Sequence, residues 1–358
     1  MWIFYILLLV PMMIQHFTIR KNQIDYEKKN QRALLVFFVL LAMITMLRHD
    51  SVGTDTETYM YFFRKLSAMS WREVGQYDLE IGYSYFNKAV SIFTKDPQAF
   101  LAIIAMITIG MIYHTYKRLC GDPSLTIVLF CTMSTFVMMF SGIRQMLAIG
   151  IGFIAYEFTR NKKLVPFILT VILAMCIHTS AFMLAFMYPL YRAKVTRKWL
   201  YVVIPVLLVI FAFNQPIFTV LSAIIEAYTE YEGGISSTGA YTMLILFVLL
   251  AVFAFVIPDE RYIDEETIGL RNFMLLALAL QMFSPLHTLA MRMNYYYIIF
   301  IPLLIPKIIS CRSQTMDQIA VVGRHVMVVF FLVYFFMNAY TGDNLDVFPY
   351  RFFWESAL

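Results

Sequence analysis

The stretch LVPFILTVILAMCIHTSAFMLAFMYPLY, residues 164–191, decides how the chain folds, because it is an almost continuous apolar run with basic residues at both ends. Two lysines precede it, and Arg192 and Lys194 follow it. A single helix of this length would measure roughly 42 Å, which is long for one tilted membrane span and short for two. The two basic ends favour a tight hairpin with His178 at its outer tip, since Lys and Arg collect in cytoplasmic loops. A single long helix is the alternative, and it would reverse the orientation of every later segment.

The composition agrees with a membrane protein. The chain has 358 residues, of which 61% are hydrophobic and 14% are charged, and its mean hydropathy is +0.71. Soluble domains contain about 25% charged residues, so most of this chain is expected to lie in lipid as helices. The net charge of +5 comes from basic residues scattered in loops, which does not indicate a nucleic-acid partner. The four cysteines lack metal-ligand spacing, so free thiols are expected.

The other apolar segments, together with the hairpin, predict an all-α polytopic protein with eleven to twelve membrane spans. These segments are residues 2–18, 33–47, 98–116, 124–140, 144–159, 199–213, 240–257, 270–286, 294–309 and 322–340. The basic loop Arg20–Arg32 is expected inside, which places the N-terminus, the acidic loop Glu226–Glu232 and the tail from residue 343 outside. Residues 48–97 have no run long enough to span and are expected to form short helices at the outer interface. We expect one integral membrane domain, residues 1–358.

With this topology, the clusters of Arg, Asp, Glu and His all lie on the outer face. The first cluster is RHDSVGTDTETY, Arg48–Tyr59. Gly53 allows a sharp turn, and the flanking carboxylates of Asp50 and Asp55 are candidates for a general base acting on a sugar hydroxyl. The alternative is a solvated loop in which Asp55 caps the next helix and Asp50 pairs with Arg48.

Two further clusters follow at Glu80 and at Arg144. Glu80 stands among tyrosines in DLEIGYSYF, where it is a reserve candidate for the base or simply an interfacial carboxylate. Arg144 and Gln145 open a span, and an Arg on the outer face opposes the usual distribution of basic residues. A guanidinium suits a bidentate grip on diphosphate, whereas the alternative is contact with lipid headgroups.

The remaining candidates are His178, His287 and Arg292. An ionisable side chain inside an apolar run is costly and marks a candidate functional site, although a His bonded to a nearby carbonyl is the alternative. Arg292 is also an Arg expected on the outer face, where its guanidinium would suit a diphosphate as that of Arg144 does. Tyr295 lies three residues after it. No metal-binding motif occurs among these clusters, so no metal is expected.

These clusters, in this order, resemble the EpsG family of exopolysaccharide proteins, a branch of the Wzy-like polymerases. The resemblance covers nearly the whole chain. It implies a bacterial inner-membrane enzyme that joins polyprenyl-diphosphate-linked oligosaccharide repeats outside the cytoplasmic membrane. It also implies a fold related to GT-C glycosyltransferases, and a flippase and a chain-length regulator as partners. The residues that carry it are Arg48, Val52-Gly53-Thr54-Asp55-Thr56, Tyr59, Glu80-Ile81-Gly82-Tyr83, Arg144-Gln145, His178-Thr179-Ser180, Arg292 and Tyr295.

The mechanistic hypothesis needs no cofactor. A hydroxyl of one lipid-linked repeat attacks the anomeric carbon of the other, Asp55 or Asp50 accepts the proton, and two arginines hold the leaving diphosphate. The substrate-binding candidates are Arg48, Arg144, Gln145, His178, Arg292 and Tyr295. An oligosaccharide ligase or a single-sugar glycosyltransferase would use the same parts. A flippase would instead place ionisable residues near mid-membrane, often within internal repeats.

Overall fold

The computed structural model is helical throughout its described parts. It describes residues 1–17, 23–224, 237–341 and 345–355. Within these ranges there is no strand, and extended pairing is limited to two isolated bridges, Arg48 with Phe352 and Pro258 with Arg312. The prediction of an all-α protein is confirmed. The backbone N–H and C=O groups of a helix hydrogen-bond to each other, and a segment in lipid requires this because no water is available there.

Contacts between helices group the chain into two compact units, Met1–Ala185 with His325–Leu358, and Phe186–Arg324. The first ten helices belong to the first unit: α1 (Trp2–Phe17), α2 (Gln23–Met46), α3 (Thr56–Ala68), α4 (Trp71–Val74), α5 (Ile81–Val90), α6 (Pro97–Leu119), α7 (Pro123–Thr132), α8 (Thr135–Ser141), α9 (Ile143–Arg160) and α10 (Leu164–Ile177). The later helices are α11 (Met187–Arg192), α12 (Leu200–Ala212), α13 (Asn214–Ile224), α14 (Ser237–Val256), α15 (Glu265–Gln281), α16 (Thr288–Ile298), α17 (Ile301–Ser310) and α18 (Asp317–Thr341). The single-domain organisation stays a prediction.

The chain is a multi-pass membrane protein by the length and composition of its helices. Four stretches among the described residues are long and apolar enough to cross a membrane, and seven are if each bent helix pair is one span. The four are Glu27–Met46, Pro97–Leu119, Gly239–Val256 and Gln314–Tyr340. Trp2–His16 and Leu164–Ile177 are shorter apolar helices. The count is below the predicted eleven to twelve, because several predicted spans consist of short helices separated by breaks.

The breaks have local causes. The span predicted at 124–140 is α7 followed by α8, with a bend of 59° and an extended residue, Met133, between them. The span predicted at 294–309 bends by 43° between α16 and α17, where Pro302 cannot donate a backbone hydrogen bond. The run 164–191 breaks at His178, which is extended (φ −154°, ψ 121°). The alternative of one long helix is therefore wrong.

The start of α2 corrects another expectation. The helix begins at Gln23, so most of the loop predicted at Arg20–Arg32 is helical. This part is rich in Glu, Lys, Gln and Arg, which favour helices even outside lipid. Lys29 and Asn30 are buried, and the Asn30 amide donates to the Gly121 carbonyl at 3.2 Å. Residues 18–22 and the acidic segment Glu226–Glu232 lie outside the described residues.

Between α2 and α6, the chain forms three short helices, α3, α4 and α5. One face of α3 is buried, and its residues Tyr59, Met60, Phe63 and Leu66 recur at helical spacing. Phe63 stacks on Phe100 of α6 with ring centroids 4.4 Å apart. This packing attaches the short helices to the long ones, and their position outside the cytoplasm stays a prediction.

Candidate functional site

The Glu80 carboxylate, at the start of α5, joins residues from α9 and from the end of α10. Its Oε2 accepts a hydrogen bond from Arg144 Nη1 at 2.6 Å, and its Oε1 lies 2.8 Å from His178 Nδ1. Oε1 also lies 3.4 Å from the backbone nitrogen and from the hydroxyl of Thr179. These four residues are called the Glu80 cluster. Their charged side chains are only 16–19% exposed, and charges so enclosed are tolerated only when they are paired.

Short connections bring these residues together. α10 follows α9 after a three-residue turn, so Arg144 in the first turn of α9 and His178 at the end of α10 meet at the same end. Gly82, two residues after Glu80, lies against α10. A Cβ at Gly82 would stand 2.7 Å from the carbonyl oxygen of Cys176. Only glycine therefore permits α5 to approach closely enough for Glu80 to reach His178.

Arg144 lies in an unusual environment. Its guanidinium is 5.7 Å from the ring centroid of Tyr59 and 5.7 Å from that of Tyr83, and it hydrogen-bonds the Tyr59 side chain. The N-terminus of α9 carries partial positive charge, which is unfavourable for a cation, so Glu80 and the two rings are what stabilise Arg144 there. Its Nε–H is buried and has no hydrogen-bond partner among the described residues. The guanidinium is thus held between one carboxylate and two aromatic rings.

The cluster keeps Glu80 ionised. Burial by itself would raise the pKa of this carboxyl, but the hydrogen bond with His178 and the charge of Arg144 lower the pKa to about 2. A general base works best with a pKa near the operating pH. Glu80 is therefore better suited to positioning Arg144 and His178 than to accepting a proton, which argues against its reserve role as the base.

The Val52–Thr56 turn is tightly packed. Gly53 has a φ of +91°, and a Cβ there would stand 2.5 Å from the Phe140 carbonyl oxygen. The Thr56 hydroxyl oxygen lies 2.7 Å from the Val52 carbonyl oxygen and 3.1 Å from the Phe140 carbonyl oxygen, and its one proton is donated to either of them. The glycine is thus required both for the sharp turn and for close approach to the loop after α8.

The C-terminal segment completes this turn. The backbone N–H groups of Gly53 and Thr54 donate to the carbonyls of Asp346 and Leu345, each at 3.0 Å. The Ser141 hydroxyl accepts from the Thr54 N–H at 2.9 Å and donates to the Leu345 carbonyl at 3.0 Å. The segment expected only as an outer tail is therefore part of the scaffold of the turn.

The two candidate bases differ in their surroundings. Asp55 precedes α3 and is half-buried, and its side chain makes no capping hydrogen bond. Tyr59, one helical turn later, lies beside Arg144, so α3 links Asp55 to the Glu80 cluster. The Asp50 side chain is 44% exposed, and its carboxylate lies 2.8 Å from His49 Nδ1. The expected pairing of Asp50 with Arg48 is wrong.

Arg48 does not lie at a surface. It is 1% exposed, and its guanidinium donates to the Thr45 carbonyl and, at 3.4 Å, to the Thr56 hydroxyl. Burial lowers its pKa to about 10. With these contacts the side chain stabilises the base of the turn from inside, and its expected role in substrate binding stays a prediction.

The other substrate-binding candidates are Gln145, Arg292 and Tyr295. Gln145 is 2% exposed, so it packs inside the first unit. Arg292, half-buried on α16, and Tyr295 belong to the second unit, and their role in substrate binding stays a prediction. Tyr295 is 1% exposed and cannot present a ring to a sugar in this conformation. Within the described ranges, no group of three or more His, Cys, Asp or Glu side chains could hold a metal ion.

The fold and the cluster together define a class of protein. It is a polytopic helical membrane protein in which an enclosed Arg is paired with a carboxylate and flanked by two tyrosines. The chain matches the EpsG family over residues 32–352, nearly its whole length, and it belongs to that family. Searches of curated proteins and of solved structures gave no match. Membership places the chain among membrane proteins of polysaccharide synthesis, in a family associated with exopolysaccharide polymerisation.

Sequence reasoning selected Glu80, Arg144 and His178 separately but did not predict that they meet. It also did not indicate that Tyr59 and Tyr83 lie against Arg144. The available signal was the ionisable side chains themselves. A residue such as Arg144 at the start of an apolar segment, or His178 inside one, is placed in or beside lipid at least cost when it has a polar partner.

Proposed function

We propose that the chain is a repeat-unit polymerase that transfers a growing glycan from a polyprenyl diphosphate to an incoming lipid-linked repeat. The observation that carries this proposal is the Glu80 cluster, in which the 19% exposed Arg144 guanidinium is held by Glu80 and lies beside the rings of Tyr59 and Tyr83. A diphosphate oxygen suits a guanidinium, because charge-assisted hydrogen bonds to such oxygens are strong.

The proposed reaction is a single displacement or a sequence of two. An acceptor hydroxyl oxygen forms a bond with the anomeric carbon of the donor glycan, and the bond from that carbon to the diphosphate oxygen breaks. The diphosphate leaves with the electron pair and is stabilised by Arg144, with Arg292 as a second candidate cation. The hydroxyl proton passes to Asp55, whose carboxylate is not used for helix capping. Glu80 positions Arg144 and His178 throughout.

The setting of this reaction is also proposed. The positive-inside distribution favours a site on the outer face of a bacterial cytoplasmic membrane. Donor and acceptor then reach the site laterally through the lipid. A flippase that supplies the repeats and a chain-length regulator are the proposed protein partners, and the GT-C glycosyltransferases are the proposed structural relatives.

A ligase or a single-sugar lipid-linked glycosyltransferase would use the same residues. A flippase is less well supported, since the Glu80 cluster lies where α5 and α9 begin and α10 ends rather than midway along a span.

Deletion of the gene, followed by analysis of lipid-linked glycans, distinguishes these functions. A polymerase mutant accumulates single repeats on the outer-leaflet lipid, whereas a flippase mutant presents no lipid-linked repeat outside. A ligase mutant would still form polymer on the lipid carrier but would not transfer it to another molecule.

Complementation with Arg144→Lys then tests the site. Lys keeps the charge but loses the planar fork, so we expect polymer to fall at least about tenfold at normal protein levels. The matched control is Arg160→Lys, at the other end of α9, where Arg160 pairs with Glu157 at 3.2 Å. Full polymer from Arg144→Lys would remove the assigned role of this residue.

A further inference from the structure

A long apolar groove lies in the second unit, between α12 on one side and α14 and α15 on the other. Its volume is about 630 Å³, and every residue that lines it is apolar. No residue of α12 is buried, although this helix is almost entirely hydrophobic. The helix therefore stands away from its neighbours along the groove instead of packing against them.

Polar contacts fix α12 at both ends. Before its start, the Arg197 guanidinium donates to the carbonyls of Phe255 and Val256 at 2.5 and 2.7 Å, at the end of α14. Just beyond its end, the Asn214 amide donates to the Met282 carbonyl at 3.0 Å. These contacts at both ends hold α12 in place, so the gap beside it is a feature of the folded second unit. An apolar cavity stays dry, so a groove among membrane helices is filled by hydrocarbon rather than by water.

The dimensions of the groove match one leaflet. It extends along α12 from Leu200 to Phe211, which at the helical rise corresponds to about 17 Å. Half of the hydrocarbon core of a bilayer is about 15 Å thick. The groove therefore accommodates an acyl chain from one leaflet, whereas a chain that crosses the bilayer would extend beyond it.

The residues at the Leu200 end of the groove indicate which kind of lipid headgroup binds there. A depression of about 570 Å³ adjoins the groove, shares Leu200 and Ile204 with it, and includes Arg197, Lys198 and Tyr201 in its lining. Tyr201 is 87% exposed and Lys198 is exposed. Tyrosine and lysine at a helix end are typical of the membrane interface, and a basic side chain there attracts anionic lipid.

We infer that this groove binds an acyl chain of an anionic phospholipid, whose phosphate lies beside Lys198. The lipid comes from the leaflet at the Lys198 end, which the distribution of basic residues assigns to the cytoplasmic side. The bound chain supplies the packing that α12 lacks. This inference is independent of the reaction proposed above and of the Glu80 cluster.

Two adjacent valines on α12 test the groove. Val203 lines it, whereas Val202 is 54% exposed and does not. The purified full-length protein is titrated with phosphatidylglycerol and with phosphatidylcholine, and retained lipid is counted by native mass spectrometry. We expect Val203→Trp to lose retained phosphatidylglycerol and Val202→Trp to keep it. Ala251→Leu, a smaller change on the groove wall, provides a second test if Val203→Trp fails to fold.

Two lysines of the preceding loop test the headgroup. Lys198→Gln removes the charge at the mouth, and Lys194→Gln, at an exposed position outside the lining, is the control. One basic residue near an anionic headgroup corresponds to about a fivefold change in affinity. We expect phosphatidylglycerol binding to weaken about fivefold in Lys198→Gln only, with phosphatidylcholine unaffected.

Three outcomes would overturn the inference. Equal lipid retention in the two tryptophan variants would show that the groove is not the site. Displacement of phosphatidylglycerol by equimolar polyprenyl phosphate would assign the groove to an isoprenoid chain. A change of oligomeric state in Val203→Trp, without a change in retained lipid, would identify the groove as a contact between copies of this chain.

Discussion

Replacing Glu80 by Gln removes the negative charge at the centre of the Glu80 cluster and keeps the size of the side chain. The amide has one acceptor oxygen, whereas the carboxylate accepts from Arg144 through one oxygen and faces His178 with the other. The variant leaves the Arg144 charge unpaired while the residue is still largely enclosed. We therefore expect loss of stability together with loss of polymer formation.

The size of the stability effect follows from the pKa of Glu80. Burial raises this pKa, but the hydrogen bond with His178 and the charge of Arg144 outweigh burial, and the pKa is about 2 in place of the ordinary 4.5. Such a difference between the folded and unfolded states corresponds to about 3 kcal/mol of unfolding free energy at neutral pH. Because the folded pKa is the lower one, this contribution is complete above pH 4.5 and is lost as the pH falls towards 2. At pH 3 about 1 kcal/mol remains.

The assay compares thermal unfolding of the purified wild-type and Glu80→Gln proteins in detergent at pH 7 and at pH 3. We expect a clear fall in melting temperature at pH 7 and a much smaller difference at pH 3. The matched control is Glu157→Gln, at the other end of α9, where the carboxylate pairs with Arg118 at 2.8 Å and with Arg160 at 3.2 Å. These partners are 32% and 36% exposed, so the control is expected to cost less than about 1 kcal/mol.

Two results would refute the reasoning. The first is equal destabilisation by Glu80→Gln and Glu157→Gln at pH 7, which would mean that enclosure of the cluster adds nothing. The second is a difference between wild type and Glu80→Gln that does not narrow at pH 3, because the effect would then come from packing and not from the charge.

The remaining predictions concern the turn beside the cluster. Asp55→Asn is expected to abolish polymer formation in vitro on lipid-linked repeats with unchanged melting temperature, whereas Asp50→Asn, at an exposed carboxylate, retains most turnover; equal turnover in both variants would rule out Asp55 as the base. Gly53→Ala is expected to destabilise the protein by about 2 kcal/mol or more, since its φ is +91° and a Cβ would stand 2.5 Å from a backbone oxygen. The control Gly110→Ala, in α6, meets no atom within 4 Å and is expected to be neutral or stabilising, as thermal unfolding will show.

The helical class and the candidate residues could be predicted because they depend on local properties. Apolar length and the scarcity of charge indicate membrane helices. Ionisable residues in or beside apolar segments select Arg144 and His178, and the polar segment between two spans contains Asp55 and Glu80. The number of spans was less predictable, since short breaks such as the extended residue Met133 do not interrupt the apolar pattern.

The sequence by itself determined that this chain is an all-helical membrane protein of the EpsG family and that its polar residues cluster at helix ends. Only the tertiary structure decided which of them meet. Glu80 and His178 are 98 residues apart, and the Gly53 turn is completed by backbone carbonyls near the C-terminus. Such pairings depend on the directions of the helices and on close approaches such as the one at Gly82. The helix propensities of individual residues give no information about either. The burial of Arg48 beneath the turn is likewise a property of the tertiary structure, because it depends on the contact with Thr56 eight residues later.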